Sequence, residues 1–201
     1  MTPREIGASY DRIADRWADD AFPAENGMAL HRLALGLLPG RGRALDAGCG
    51  CNGRFMDLLL EEGFEPVGVD ISGRMIALAR ERHPDVVFEQ ADLCAWEPAG
   101  TFDFITGWDS IWHIPLAAHE QVLKRLLGAL APDGVFIFSM GGLDEPGEVF
   151  DSAMGVPMMH STPGIPAMRR WVEEAGCVVR HQEFDQDPEL HLAVIVQKSA
   201  D

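Results

Sequence analysis

The 201-residue sequence contains no run of roughly 18 or more consecutive apolar residues, so no membrane-spanning helix is expected. Its N-terminal stretch, MTPREIGASYDRIADRWADD, lacks the apolar core of a secretory leader. Basic residues are scarce: 16 Lys and Arg stand against 32 Asp and Glu, for a formal net charge of -16. Without a Lys/Arg cluster there is no footprint for displacing counterions from a phosphate backbone, so no nucleic-acid partner is expected. Cysteine is limited to Cys49, Cys51, Cys94 and Cys177. The Cys49-x-Cys51 pair has no second Cys/His pair at zinc-ligand spacing, so no metal site is expected. The thiols read as free, in a reducing cytoplasm. Repeats and low-complexity tracts are also missing. What remains, at 47% hydrophobic, is enough for a full core.

Helix-period and strand-period segments alternate through the middle of the chain, the pattern of a parallel sheet with helices on both faces. Residues 5–19 carry Ile6, Tyr10, Ile13, Ala14 and Trp17 at helical spacing, and 25–38 read as a second helix ended by Pro39-Gly40. Short strands are expected at 43–46, 66–69, 86–89, 102–106 and 135–139. The last of these is apolar almost throughout, as burial on both faces requires. Helices are expected at 54–62, stopped by Gly63, and from a Ser72 N-cap to about Arg82. Another spans 116–131, with Val122, Leu123, Leu126, Leu127 and Leu130 on one face, before a turn at Pro132-Asp133-Gly134. Residues 141–166 match no regular period. Their Gly/Pro punctuation and their methionines, Met154, Met158 and Met159, read as a lid or binding loop. A short helix at 167–175 follows, then strands at 177–184 and 190–197. The connection between these two is short enough to make them antiparallel neighbours.

Asp46-Ala47-Gly48-Cys49-Gly50-Cys51-Asn52-Gly53 contains G-x-G-x-x-G. It follows a strand, precedes a helix, and is followed by an acid, Asp70, near the end of the next strand. That context gives the motif its meaning: glycines let the backbone turn sharply and approach a ligand, while the acid accepts from ribose hydroxyls. The plain alternative for Asp70 is a helix cap near Ser72.

In this order the segments resemble the class I S-adenosylmethionine-dependent methyltransferases. Asp46-x-Gly48-x-Gly50 is similar to their first motif, Val67-Gly68-Val69-Asp70 to the second and Ala91-Asp92-Leu93 to the third. Phe102-Asp103-Phe104-Ile105 is similar to their fourth strand, and Leu130-x-Pro132-x-Gly134-Val135 to the turn before the fifth. Tyr10-Asp11-x-x-Ala14-Asp15-x-Trp17 resembles the N-terminal helix of their small-molecule branch. The resemblance implies a Rossmann-like, doubly wound α/β sheet, mostly parallel with an antiparallel C-terminal strand, in the order 3-2-1-4-5-7-6. It implies one domain over 1–201, with a helical cap over 1–40 and a lid insertion at 141–166. It also implies S-adenosylmethionine as cofactor. The expected cofactor site takes Tyr10 from the cap and Asp46, Ala47, Gly48, Cys49 and Gly50 from the glycine turn. Asp70, Ile71 and Met75 follow strand two, Asp92 and Leu93 strand three, and Gly107 and Trp108 strand four. Asp46 suits the ligand's ammonium group, Asp70 the ribose and Asp92 the exocyclic amine of adenine. Asp103, inside its strand, reads as structural.

Ligands of open α/β sheets lie beyond the carboxyl ends of the strands. This places Trp108, Asp109, Trp112 and His113 beside a reacting methyl group. No Asn/Asp-Pro-Pro-Tyr/Phe stretch, the mark of the nucleic-acid amino-methylating branch, follows strand four, so the expected acceptor is a small molecule. His113 is the candidate catalytic residue, as general base or acceptor-orienting group, and His160 is second to it. Two other readings stay open. One is an NAD(P)-type oxidoreductase, which leaves Asp46 and Asp92 without a job. The other is a non-catalytic S-adenosylmethionine-binding protein on the same fold. No motif specifies the acceptor or the oligomeric state.

Overall fold

The computed structural model of the chain describes residues 1–18 and 23–200. The expected end of the first helix, at residue 19, lies outside the described residues. Seven strands form one sheet: β1 (Arg43–Ala47), β2 (Glu65–Asp70), β3 (Val87–Gln90), β4 (Phe102–Gly107), β5 (Leu130–Gly141), β8 (Cys177–Phe184) and β9 (His191–Lys198). Their order is β3-β2-β1-β4-β5-β9-β8, and in chain order of these seven it reads 3-2-1-4-5-7-6, as expected. β1 pairs in parallel with β2 and β4, while β9 runs antiparallel between β5 and β8.

The central strands are apolar on both faces because helices cover both. Along β5 and β9, successive side chains enter opposite cores. Phe136, Phe138, Leu192, Val194 and Val196 join one, and Val135, Ile137, Ala193 and Ile195 join the other. The first core is closed by α5 (His119–Gly128), through Val122, Leu123, Leu126 and Leu127, and by α6 (Ile165–Glu174), through Met168, Trp171 and Val172. The second is closed by α2 (Met28–Leu35) and α3 (Arg54–Glu61), which bring Leu30, Ala34, Phe55, Leu58 and Leu59. Spacings of three and four put each of these sets on one helix face.

Three segments differ from the sequence reading. Residues 141–166 are not irregular: β6 (Gly147–Asp151) and β7 (Met158–Thr162) pair antiparallel as a separate hairpin. Pro146-Gly147, Pro157 and Pro163-Gly164 bound its strands instead of interrupting them. Its apolar side is covered by α1 (Pro3–Ala18), where Ile6 and Ile13 pack on Val156, Met158 and Met159. The helix expected at 116–131 starts later, at His119, after two short 3-10 turns (Ile111–His113 and Leu116–Ala118) separated by Pro115. The expected turn at 132–134 lies inside β5 as an irregularity, with Asp133 at φ 60° and the register against β4 shifting between Phe102 and Phe104. Likewise α2 starts at Met28, because Gly27 takes φ 77° and packs against the Trp108 ring.

Asp103 is structural, as its position suggested. Its Oδ2 accepts the backbone N–H of Arg43 at 2.9 Å and so fixes the start of β1 against β4. Replacing it leaves that N–H without its charged partner. Asp103→Ala is expected to lower stability in urea denaturation by about 1–3 kcal/mol, with affinity for S-adenosylhomocysteine unchanged.

Candidate active site

The order 3-2-1-4 reverses direction of growth between β1 and β4, so the helices that follow these strands part there and leave a crevice at the strand ends. A cavity of about 480 Å³ occupies it.

The glycine turn forms its floor. The N–H groups of Gly48 and Cys49 both donate to the Val69 carbonyl, at 2.7 and 3.0 Å, tying the turn to the end of β2. Gly48 has φ 83°, and a Cβ there would stand 2.2 Å from the Cβ of Ser110. Gly50, at φ 56°, has open space where a Cβ would be, so the backbone itself faces the cavity. Asp70 holds the turn from the other side: its Oδ2 accepts Gly50 N–H at 2.9 Å and its Oδ1 accepts Ser72 N–H at 2.8 Å. The helix cap weighed as its alternative role belongs to Ser72, whose Oγ accepts Met75 N–H at 3.1 Å at the start of α4 (Gly73–Arg82). Burial raises the Asp70 pKa, although its backbone hydrogen bonds work against that.

Asp46, at the end of β1, also lines the cavity and is only 4% exposed. Its carboxylate accepts no hydrogen bond among the described residues. Burial, with Asp70 close by and Arg54 partly opposing, pushes its pKa up to about 7. A buried carboxylate without a donor is costly, and a cation in the cavity would relieve it. S-adenosylmethionine brings a cation and no phosphate, so the residues present fit it. Asp92 lines the same cavity; its Oδ1 accepts Cys94 N–H at 2.8 Å, and the Cys94 thiol also bonds to its carboxylate. Ile71, Met75 and Leu93 give an apolar wall beside it.

Tyr10, Cys49, Trp108 and His113 line the cavity as well. Two expected cofactor residues stand behind the wall instead. The Ala47 carbonyl accepts from Ser110 Oγ at 2.7 Å, and Gly107 is packed against Ile111. His113 is buried, with both ring nitrogens engaged. Nδ1 lies 2.8 Å from the Met159 carbonyl, which can only accept, so this nitrogen donates. Nε2 therefore accepts, from the Tyr10 hydroxyl at 2.7 Å. Burial is the main cause lowering the His113 pKa to about 4.

Asp109 and His160 were singled out from the sequence, but their partners His191, Asp185 and Asp151 were not. His191 on β9 is 3% exposed and sits between Asp109 Oδ1, at 2.8 Å, and the Asp185 carboxylate. Burial opposes its charge, yet the two acids raise its pKa overall. Asp109, at φ 52°, also accepts from Ser139 Oγ and lies 3.8 Å from Arg54 Nη2. Nothing local in the sequence pairs residues this far apart. On the hairpin, His160 Nδ1 stands 3.2 Å from Asp151 Oδ2, and both line the cavity.

A crevice at the β1/β4 switch point, a glycine turn facing it, an acid at the end of β2 and an antiparallel β9 together define a Rossmann-like methyltransferase fold. Comparison with known proteins agrees. The methyltransferase-domain family matches residues 18–182, and the chain belongs to it. With the family comes its methyl donor, S-adenosylmethionine. The chain is 38% identical over 121 residues to a trans-aconitate 2-methyltransferase of Acidovorax sp. (strain JS42), covering 59% of this chain and 46% of the relative. It is 32% identical over 152 residues to that of Methylobacterium nodulans, covering 68% and 58%. The match thus spans about half the length of these curated relatives. Among solved structures, it is similar in fold to a 1,6-didemethyltoxoflavin-N1-methyltransferase of Burkholderia thailandensis (TM-score 0.71, 22% identity, covering 98% of this chain and 87% of that one). It is also similar to an S-adenosylmethionine-dependent methyltransferase of Mesorhizobium loti (TM-score 0.66, 22% identity, covering 88% and 99%).

The raised Asp46 pKa has a pH signature. In the free protein the unfolded carboxyl ionises near 3.8 and the folded one near 7, so this group costs stability as pH rises through that window. Its ionised form is the one that receives an ammonium group. Calorimetric titration should therefore find S-adenosylhomocysteine affinity falling by up to about tenfold per pH unit below about 7. Asp46→Asn should bind weakly and with no such pH dependence.

Proposed function

We propose that this chain transfers the methyl group of S-adenosylmethionine to a small-molecule acceptor by in-line displacement. The observation that carries the reading is Asp46, an unpartnered buried carboxylate facing the cavity beside the glycine turn. When bound, S-adenosylmethionine supplies a methyl group on a positively charged sulfur, open to a lone pair from the side opposite the sulfur. In this reading Asp46 holds the ammonium group, Asp70 the ribose hydroxyls and the Asp92 carboxylate the adenine amine. Ile71, Met75 and Leu93 exclude water from the adenine side. The main contribution of the protein is positioning, with the acceptor confined in the cavity that α1 and the β6–β7 hairpin help to wall, the hairpin serving as the lid.

His113 acts in this account by orienting the acceptor wall, not by taking a proton. Its one acceptor nitrogen is occupied by Tyr10, whose own pKa burial raises. A cavity of this volume suits a small molecule. The net charge of -16 disfavours nucleic-acid phosphates. The four free thiols suit the cytoplasm.

The NAD(P) alternative sets a pyrophosphate at the glycine turn, where Asp46 and Asp70 would repel it. Thermal-shift comparison should find stabilisation by S-adenosylhomocysteine and none by NAD or NADP; the reverse would sink the reading. Incubation with methyl-labelled S-adenosylmethionine and a metabolite extract should then yield a labelled small molecule. With that acceptor in hand, His113→Ala should lower kcat while leaving cofactor affinity nearly unchanged. Retention of full kcat would make His113 structural only.

A further inference from the structure

The acceptor side of the cavity is short of available positive charge. Six carboxylates line the cavity, those of Asp46, Asp70, Asp92, Asp109, Asp151 and Glu189, and Arg54 is the one arginine or lysine among the described lining residues. Arg54 is already committed. Its guanidinium lies 4.3 Å from the centre of the Phe55 ring, its Nε donates to the Asn26 carbonyl at 3.1 Å, and its Nη2 faces Asp109. The cofactor reading above uses Asp46, Asp70 and Asp92, and His191 with Arg54 offsets Asp109. This leaves Asp151 on β6 and Glu189 on the β8–β9 connection. Glu189 is exposed, and its carboxylate has no hydrogen bond or ion pair among the described residues. Asp151 spends one oxygen on Ala153 N–H and sets the other against His160. Trp112 stands in the same wall, and its buried indole N–H has no partner among the described residues.

We propose that the acceptor is a flat small molecule whose ammonium group is a binding handle apart from the atom that is methylated, held by Asp151, Glu189 and the Trp112 ring, and not a polycarboxylate. The proposal rests on the methyltransferase reading and deepens it. An ammonium group gains from two carboxylates and from an indole face. A hydroxyl or carbonyl oxygen on the flat body satisfies the Trp112 N–H. A tricarboxylate such as trans-aconitate, for which the matched relatives are named, would bring its charges among like charges with no free guanidinium to grip them. Because the match covers about half of those relatives, likeness in the shared part leaves their acceptor contacts unassigned here.

The test is calorimetric titration of the protein already saturated with S-adenosylhomocysteine. The probes are tyramine, p-cresol (the same ring without the amine) and trans-aconitate. Tyramine should bind at least about tenfold more tightly than either of the others. Glu189→Gln should weaken tyramine about threefold, a typical loss for one partly solvated charge pair, and leave S-adenosylhomocysteine binding unchanged. Equal or tighter binding of trans-aconitate, p-cresol matching tyramine, or none of the three binding would overturn the proposal. A failure of the methyltransferase reading itself is separable, since it would appear in the first titration, as absence of S-adenosylhomocysteine binding.

Discussion

A carboxylate buried without a donor is the constraint around which this site is arranged. β1 lies at the centre of the sheet, between β2 and β4, and its last turn of chain carries Asp46 to the crevice where the order of strands reverses. Had Arg54 closed on Asp46, the acid would be an internal ion pair. Arg54 instead lies against Phe55 and Asp109, and Asp46 keeps an open face. The glycine turn follows from the same constraint. Gly48 must avoid Ser110, whose hydroxyl holds the Ala47 carbonyl, and Gly50 must present its backbone with Asp70 behind it. Two acids beside one glycine turn select for a ligand with a cation and against one with a pyrophosphate.

The walls of the cavity are made by parts remote in sequence that depend on each other. α1 is strapped to the start of α4, where Asp11 accepts from Ser72 Oγ at 2.6 Å and from Arg74 N–H at 3.0 Å. The same helix covers the apolar side of the β6–β7 hairpin. Tyr10, His113 and the Met159 carbonyl then link helix, 3-10 turn and hairpin in one chain of hydrogen bonds. Because His113 is neutral and doubly bonded, this chain fixes one wall of the cavity without adding charge to it.

Much of this was legible from residue order, for a local reason. A strand, a glycine turn and an acid at the next strand end are each encoded within a few residues, and these local segments carry the family resemblance that implied the sheet order and the places of Asp46, Asp70 and Asp92. The hairpin was not legible in this way. Val149 and Phe150 on β6 are exposed, so its alternation carries no core signal, and the surface that covers β7 comes from α1 at the other end of the chain. The Asp109–His191–Asp185 network was hidden for the same reason: 82 positions separate Asp109 from His191, and only the insertion of β9 beside β5 brings them together. Ala47 and Gly107 were placed in the cofactor site by their neighbours in the motif. The alternation of a strand turns the first inward, and the close approach of Ile111 closes off the second.

The account stands or falls on where the ligand's charged end lies. A crystal structure of the protein with S-adenosylhomocysteine bound measures this directly. The account predicts the ligand's amino nitrogen within hydrogen-bond distance of the Asp46 carboxylate and its ribose hydroxyls on Asp70. An Asp46 that faces no nitrogen of the ligand, or a ligand seated away from the glycine turn, would contradict it.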